Sequence, residues 1–421
     1  MLMLELAAII LFITAGLAFL NRRYVGLPSA IGVMAIALAL SLACIGLDWL
    51  GYPLVRNYEQ NLLSSIDFSE LLMQGMLSVL LFAGALHIDL SELRAFRWQV
   101  SLLAVVGTTI STLVVGCALF YLLSFTHISL SLIHCLIFGA LISPTDPIAV
   151  MGILKTAGAP KNTELVIAGE SLFNDGVGVV LFSVLLATLV NEEPITLTST
   201  LEIFAHEAGG GILLGLIAGY LAFVMLRSID SYPEEILITL ATVLGGYTLA
   251  NHLGVSGPLA MVVAGLIIGN HGRALAMSDN TRKRIDAFWE ALDEILNAVL
   301  FVLIGLEIIL IDLAPPLLLG GILVAGLTLL ARLVTVGLPV RLLGRKFRLV
   351  PGSWRILTWG GLRGGISVAL ALSLPIGAER DVILTLTYVV VICSILGQGL
   401  TIGKVARTVC NPASHPPQDR H

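Results

Sequence analysis

Thirteen apolar stretches separated by polar breaks constrain this chain more than any other feature, because a helix needs about 20 apolar residues to cross a bilayer. They lie near residues 5–20, 25–49, 68–88, 99–123, 131–154, 164–190, 201–226, 234–252, 257–269, 288–311, 316–343, 355–374 and 381–402. Of the 421 residues 57% are apolar and 12% charged, about half the charge of an ordinary globular domain at roughly 25%. The apolar residues therefore belong to the whole fold and not to one anchor. We read an all-α polytopic membrane protein of about thirteen transmembrane helices. The first stretch follows Met-Leu-Met-Leu-Glu with no basic leader and ends at Asn21-Arg22-Arg23. That order is the reverse of a cleaved signal peptide, so the stretch is expected to stay as a helix. The ninth, near 257–269, is short and either crosses with little tilt or dips partway.

Lysine and arginine collect in cytoplasmic loops, and one missed span would scramble their alternation. With the first terminus outside, nineteen of the 23 basic residues fall on the cytoplasmic side, Arg94, Arg97, Lys155, Lys161, Lys346 and Arg348 among them. Arg56 and Arg380 fall outside, while Arg332 and Arg363 lie within spans. The expected arrangement is a multi-pass protein of the cell (inner) membrane, N-terminus outside and C-terminus cytoplasmic. Residues 1–404 form one membrane domain, with a short cytoplasmic tail over 405–421. A net charge of −5 without a long basic run gives no support for nucleic-acid binding. Cys44, Cys117, Cys135, Cys393 and Cys410 are odd in number and contain no C-x-x-C pair, so neither a disulfide framework nor a zinc site is expected.

A charge at membrane depth costs at least ~3 kcal/mol on insertion scales and faces a cavity or a partner. Five such residues sit well inside the spans: Asp146, Glu170, Asp175, Arg332 and Arg363. Two structural ion pairs are one reading. The other follows from the excess of one acid over the bases, which a proton or a bound cation must neutralise, and an exchange site needs that deficit. Glu207 and Glu307 lie nearer the ends of their spans and are set aside as interfacial.

The sequence around these charges interrupts its own helices. Ser143-Pro144-Thr145-Asp146-Pro147 places two prolines in mid-span, and each removes a donor and clashes with the preceding turn. Gly360-Gly361-Leu362-Arg363-Gly364-Gly365 surrounds an in-span arginine with glycines. Two broken helices in corresponding places of the two halves are the pattern of inverted repeats, in which the breaks carry the ion site. In the sixth span, Glu170 and Asn174 share one strip of the helix while Ser171 and Asp175 share the next. An arginine can hold the first pair while the second faces a cavity. Oxygen ligands from Asp175, Ser171, Thr145 and the freed backbone at Asp146 suit a hard cation such as Na⁺. The alternative for Ser171 and Thr145 is hydroxyls bonded back to their own helices.

Thr145-Asp146-Pro147, Glu170-Ser171-Leu172-Phe173-Asn174-Asp175-Gly176 and Gly361-Leu362-Arg363-Gly364-Gly365, in that order across thirteen spans, resemble the NhaP-type Na⁺/H⁺ antiporters of the monovalent cation:proton antiporter superfamily. The resemblance covers nearly the whole chain. It implies a homodimer, a core bundle around spans 131–190 and 316–402 holding two crossed, unwound helices, and a dimerisation bundle from the remaining spans. It implies that Asp175 is the ion and proton carboxylate, with Na⁺ at Asp175, Ser171 and Thr145 and help from Asp146. Glu170 would pair with Arg363 and Asp146 with Arg332. Members with an acid in the third span carry Phe-Glu where this chain has Phe82-Ala83, so that auxiliary carboxylate is absent. In electrogenic relatives the position of Asn174 is a second aspartate, with a lysine where this chain places Arg332. The expected activity is one-for-one, electroneutral exchange of Na⁺, or of Li⁺, for H⁺ by alternating access; a K⁺/H⁺ antiporter of the same fold is the alternative.

Other classes fit less well. An intramembrane aspartyl protease using Asp146 and Asp175 lacks a Gly-x-Gly-Asp motif and leaves both in-span arginines unexplained. His206-Glu207-Ala208-Gly209-Gly210 has a glycine where a zinc-protease helix needs its second histidine. Gln398-Gly399-Leu400-Thr401-Ile402-Gly403-Lys404-Val405 departs from a phosphate loop at both ends, so no ATP site is expected and ion gradients must drive transport. No enzymatic activity and no cofactor are expected. A cation channel is the nearer rival, but broken helices around a single-charge site suit alternating access.

Overall fold

In the computed structural model, the described residues are 3–50, 76–125, 128, 130–191, 202–273, 277–308, 315–343 and 346–410. The beginning of the third stretch (68–75), the end of the tenth (309–311), the tail from 411 and Arg56, Arg345 and Arg420 lie outside them. Every element among the described residues is helical, as backbone in hydrocarbon requires when no water is there to satisfy its polar groups. Among the described residues eight helices are long and apolar enough to cross a membrane, Lys161–Val190, Pro315–Leu343 and Ala378–Val409 among them. Leu77–Leu86, Leu132–Ile142 and Gly257–Gly272 are apolar but shorter.

Local chemistry sets the ends of these helices. Ser256 and Ser278 cap their helices by accepting from Leu259 N–H (3.4 Å) and Thr281 N–H (3.4 Å), and Asp89 accepts from the N–H groups of Ser91 (2.8 Å) and Glu92 (3.3 Å). The hydroxyl and N–H of Ser91 hold the Asp89 carboxyl below its ordinary value, so it stays charged. Wide π turns interrupt two of the long helices at Leu333–Gly337 and Cys393–Gly399. The first follows Arg332 and the second carries Ser394 and Gln398, so both adjoin the in-span arginines.

Buried side chains form two principal clusters. The larger is drawn chiefly from Thr108–Leu123, Leu132–Ile142, Lys161–Asn191, Pro315–Arg332 and the helices between Ser353 and Cys410. The second joins Leu77–Leu86, Gly210–Arg227, Tyr232–Leu253, Gly257–Ile267 and the first half of Asp279–Glu307. There Phe82 packs on Trp289 with centroids 4.8 Å apart, and the Trp289 indole donates to Thr239 Oγ1 at 3.1 Å. Ala83 is buried in this second cluster. The helices Gly210–Arg227 and Gly257–Ile267 approach so closely that a Cβ at Gly215 would lie 2.4 Å from the Ala260 carbonyl, the small-residue packing expected where lipid supplies no hydrophobic drive. The helices Leu77–Leu86 and Asp279–Glu307 and the segment 144–147 together line one cavity.

Candidate functional site

Each interruption is built by its sequence. The helix Leu132–Ile142 stops at the prolines and resumes as Ile148–Ala157, which Gly158 closes with φ +73°. Ser353–Trp359 stops at Gly360, and the chain continues without helix until Gly365–Leu372. The two unwound segments meet: Asp146 N–H donates to the Leu362 carbonyl at 2.8 Å. A Cβ at Gly364 would stand 2.6 Å from the Cβ of Asp146, so the approach requires glycine. Arg363 N–H donates to Ser394 Oγ at 3.0 Å, which ties the second segment to the last helix.

The arginines do not hold the partners expected of them. Arg332 grips Glu170 with both ends of its fork, Nη1 to Oε1 at 2.5 Å and Nη2 to Oε2 at 2.6 Å, and its Nη2 also donates to the Leu357 carbonyl at 3.3 Å. Arg363 instead donates from Nη1 to the carbonyls of Ser143 (2.5 Å) and Pro144 (2.9 Å). The pairing Glu170–Arg363 is thereby corrected to Glu170–Arg332, and the reason is chemical. The Ser143 carbonyl would accept from residue 147 in a continuous helix, but Pro147 has no N–H. Arg363 supplies the missing donor, while the planar fork of Arg332 fits the carboxylate of Glu170. A Cβ at Gly361 would lie 2.6 Å from Arg332 Nε, so the glycine leaves room for that guanidinium.

Asn174 locks the polar centre. Its Oδ1 accepts from Thr145 N–H at 3.3 Å, and its Nδ2 donates to Thr145 Oγ1 at 2.9 Å and to Glu170 Oε1 at 3.1 Å. Thr145 Oγ1 and Ser171 Oγ are hydrogen-bonded to each other at 2.8 Å, not back to their own helices. Asp175 is only 6% exposed, yet among the described residues nothing donates a hydrogen bond to its carboxylate. It lines a cavity of about 760 Å³ together with Thr145 and Asp146. Asp89, Glu92, Lys161 and Glu164 also line the cavity, and Lys161 Nζ pairs with Glu92 at 2.5 Å.

Two further carboxylates emerge from the structure, one lining this cavity and one buried away from it. Asp293 lines the cavity from the helix Asp279–Glu307, held by Asn297 Nδ2, which donates to its carbonyl at 2.8 Å and to Oδ1 at 3.1 Å. Asp293 was not singled out from the sequence; the Asp-x-x-x-Asn spacing was the available signal. Glu307, set aside as interfacial, is buried and accepts a hydrogen bond from the Tyr388 hydroxyl. Glu207 is half-buried.

A many-helix membrane protein in which two unwound segments meet beside a continuous helix that turns a buried carboxylate onto a cavity has the architecture of a membrane transporter. Residues 8–408 match the family described as sodium/hydrogen exchanger, transmembrane, and the chain belongs to that family. It is 53% identical over 412 residues to the Na(+)/H(+) antiporter NhaP of Pseudomonas aeruginosa, covering 97% of each chain. With the Na(+)/H(+) antiporter NhaH of Halobacillus dabanensis it shares 38% identity over 384 residues, 89% of this chain and 90% of that one. Its fold is similar to that of the sodium proton antiporter MjNhaP1 from Methanocaldococcus jannaschii, with a TM-score of 0.75 at 20% identity, covering 96% of this chain and 97% of the other.

Proposed function

We propose that this chain exchanges Na⁺ for H⁺ across a cell membrane by alternating access, with Asp175 binding each in turn. The observation that carries the reading is the contrast at the cavity's end: Glu170 is fully engaged by Arg332, while Asp175 is buried without a donor beside the hydroxyls of Thr145 and Ser171. An ionised carboxylate so placed needs a proton or a cation. Asp175, Thr145, Ser171 and the backbone at Asp146 form the Na⁺ site, and Asn174 holds Thr145 in position. The antiport named for relatives at 53% and 38% identity supports the same substrates.

The exchange is one for one. Asn174 cannot take up a proton, Arg332 and Arg363 are never deprotonated, and Ala83 offers no acid, which leaves Asp175 to cycle. The core carries the same charge outward with one ion as inward with the other. We place thirteen crossings around this site, with the interrupted helices at 143–147 and 360–364 crossing as halves of an inverted repeat. The N-terminus lies outside and the C-terminus inside, so the cavity faces the cytoplasm. A homodimer forms through the bundle outside the core.

Two measurements test this. Adding Na⁺, Li⁺ and K⁺ in turn to everted vesicles that hold a pH gradient should collapse it with Na⁺; a response to K⁺ alone would make the protein a K⁺/H⁺ antiporter. In proteoliposomes, Na⁺-driven proton flux should be the same whether or not valinomycin and K⁺ clamp the potential. A flux that reverses with imposed potential at fixed ion gradients would show a second titrating group, with Asp293 and Glu307 the first to examine.

A further inference from the structure

Away from the cavity, the segment Arg94–Gln99 and the loop Lys346–Arg348 together line a second, shallower pocket of about 520 Å³. Arg94, Arg97, Lys346 and Arg348 converge on it, and no carboxylate lines it. None of the four makes an ion pair among the described residues; Arg97 only rests over the Trp98 ring at 5.7 Å. The pocket is built, not incidental. Gln99 Nε2, in a buried side chain, donates to the Phe347 carbonyl at 3.4 Å, and Asn162 Nδ2 donates to the Arg348 carbonyl at 3.5 Å. Phe347 and Leu349 are buried while Lys346 and Arg348 turn outward. Arg348 is the single non-glycine residue with positive φ, +54°, among the described residues, a conformation that costs energy and persists only where the surroundings enforce it.

The position says what these cations meet. Below the pocket, Leu102–Gly107 packs against Leu333–Gly337, and Leu102, Val106, Val334 and Leu338 present an exposed apolar seam. Trp98, 75% exposed, stands where apolar and basic surface meet, as interfacial tryptophans do. The positive-inside pattern puts this end of both helices at the cytoplasmic leaflet, which carries anionic lipids and attracts basic groups near its surface.

We propose that this pocket binds the phosphate headgroup of an anionic phospholipid, Arg94, Arg97, Lys346 and Arg348 holding the phosphate while the acyl chains lie along the seam below. The proposal stands apart from the exchange reading, because none of these residues lines the ion cavity. A lipid so held braces the loop Lys346–Arg348 against the segment that begins the helix Arg97–Leu123.

The test compares the purified protein with two double variants. Arg97→Gln/Arg348→Gly removes two pocket charges, the glycine also relieving the positive φ. Arg282→Gln/Lys283→Gln removes two exposed charges assigned to the same membrane face but outside the pocket. Each is titrated with dihexanoyl-phosphatidylglycerol, dihexanoyl-phosphatidylcholine and inorganic phosphate at matched ionic strength, following the thermal midpoint, and each is analysed for retained lipid by native mass spectrometry. The anionic lipid should raise the midpoint of the parent and of the Arg282/Lys283 variant, and phosphatidylcholine should not. The pocket variant should bind it about 25-fold more weakly, roughly fivefold for each charge removed; should that variant fold poorly, Arg97→Gln alone should show about a fivefold loss. Equal lipid binding in the two double variants overturns the proposal, and stabilisation by phosphate matching that by phosphatidylglycerol makes the pocket an anion site with no lipid role.

Discussion

Glu170 and Asp175 lie five residues apart on one helix and are buried to nearly the same degree, 1% and 6% exposed, yet their surroundings differ. Glu170 accepts both arms of Arg332 and a hydrogen bond from Asn174. Asp175, turned onto the cavity face, accepts none from the described residues. Burial alone therefore does not separate a paired carboxylate from an unpaired one. The first acid is paired within the fold and holds two helices together; the second has no such partner among the described residues, which is why the proposed exchange is assigned to it. Substitutions that strike one acid and spare the other can separate these roles.

The largest effect is expected from Asp175→Asn, which keeps the shape and removes the charge. Na⁺-driven proton flux in vesicles should fall at least 100-fold, as expected when the group that binds the reacting ions is lost, while insertion and the thermal midpoint stay near the parent values. Robust flux in this variant would sink the assignment. Glu170→Gln or Arg332→Gln should act in the opposite sense, costing about 3–5 kcal/mol by leaving a buried charge unpaired. That loss should appear as less folded protein and a lower midpoint in fluorescence-detected chromatography. The double variant should recover part of the loss, since neither charge is then orphaned, and strictly additive losses would break the pairing.

Arg363→Gln should be milder, about 1–3 kcal/mol, because the bonds it removes are those to the carbonyls of Ser143 and Pro144. A loss as large as that from Arg332→Gln would mean that Arg363 neutralises an acid after all. The smallest change is expected from pH on the parent protein. Where H⁺ and Na⁺ contend for Asp175, the apparent Na⁺ affinity should weaken as pH falls, approaching about tenfold per unit at the acid end by simple competition. Initial rates against Na⁺ at several pH values check this, and an affinity independent of pH would reject a shared site.

Much of this was legible in the chain. The apolar stretches announce membrane helices because hydrocarbon excludes every other use of so many consecutive apolar residues. Pro144, Pro147 and the glycines at 360–365 announce the breaks because their backbone chemistry does not depend on neighbours. Glu170, Ser171, Asn174 and Asp175 declare two faces through helical periodicity alone. Which arginine meets Glu170 was not legible, since Arg332 and Arg363 are both in-span cations more than 150 residues away from it. Glu307 was misjudged, and Asp293 was not singled out, for a related reason: position along a span does not say whether a side chain faces lipid, a cavity or another helix.

What the sequence determined by itself is therefore the set of local facts: membrane-length helices, the two interruptions, the in-span charges and the uneven number of acids and bases. These follow from bonding within a few residues and from the cost of transfer out of water. The tertiary structure alone decided the partners. It put Arg332 on Glu170, gave Arg363 the Ser143 carbonyl that Pro147 deprives of a donor together with that of Pro144, set Asp293 on the cavity wall and left Asp175 without a donor among the described residues. Those choices depend on how distant helices dock, because a charge in a low-dielectric interior takes the nearest group with matching geometry, and nearness is a property of the packed helices.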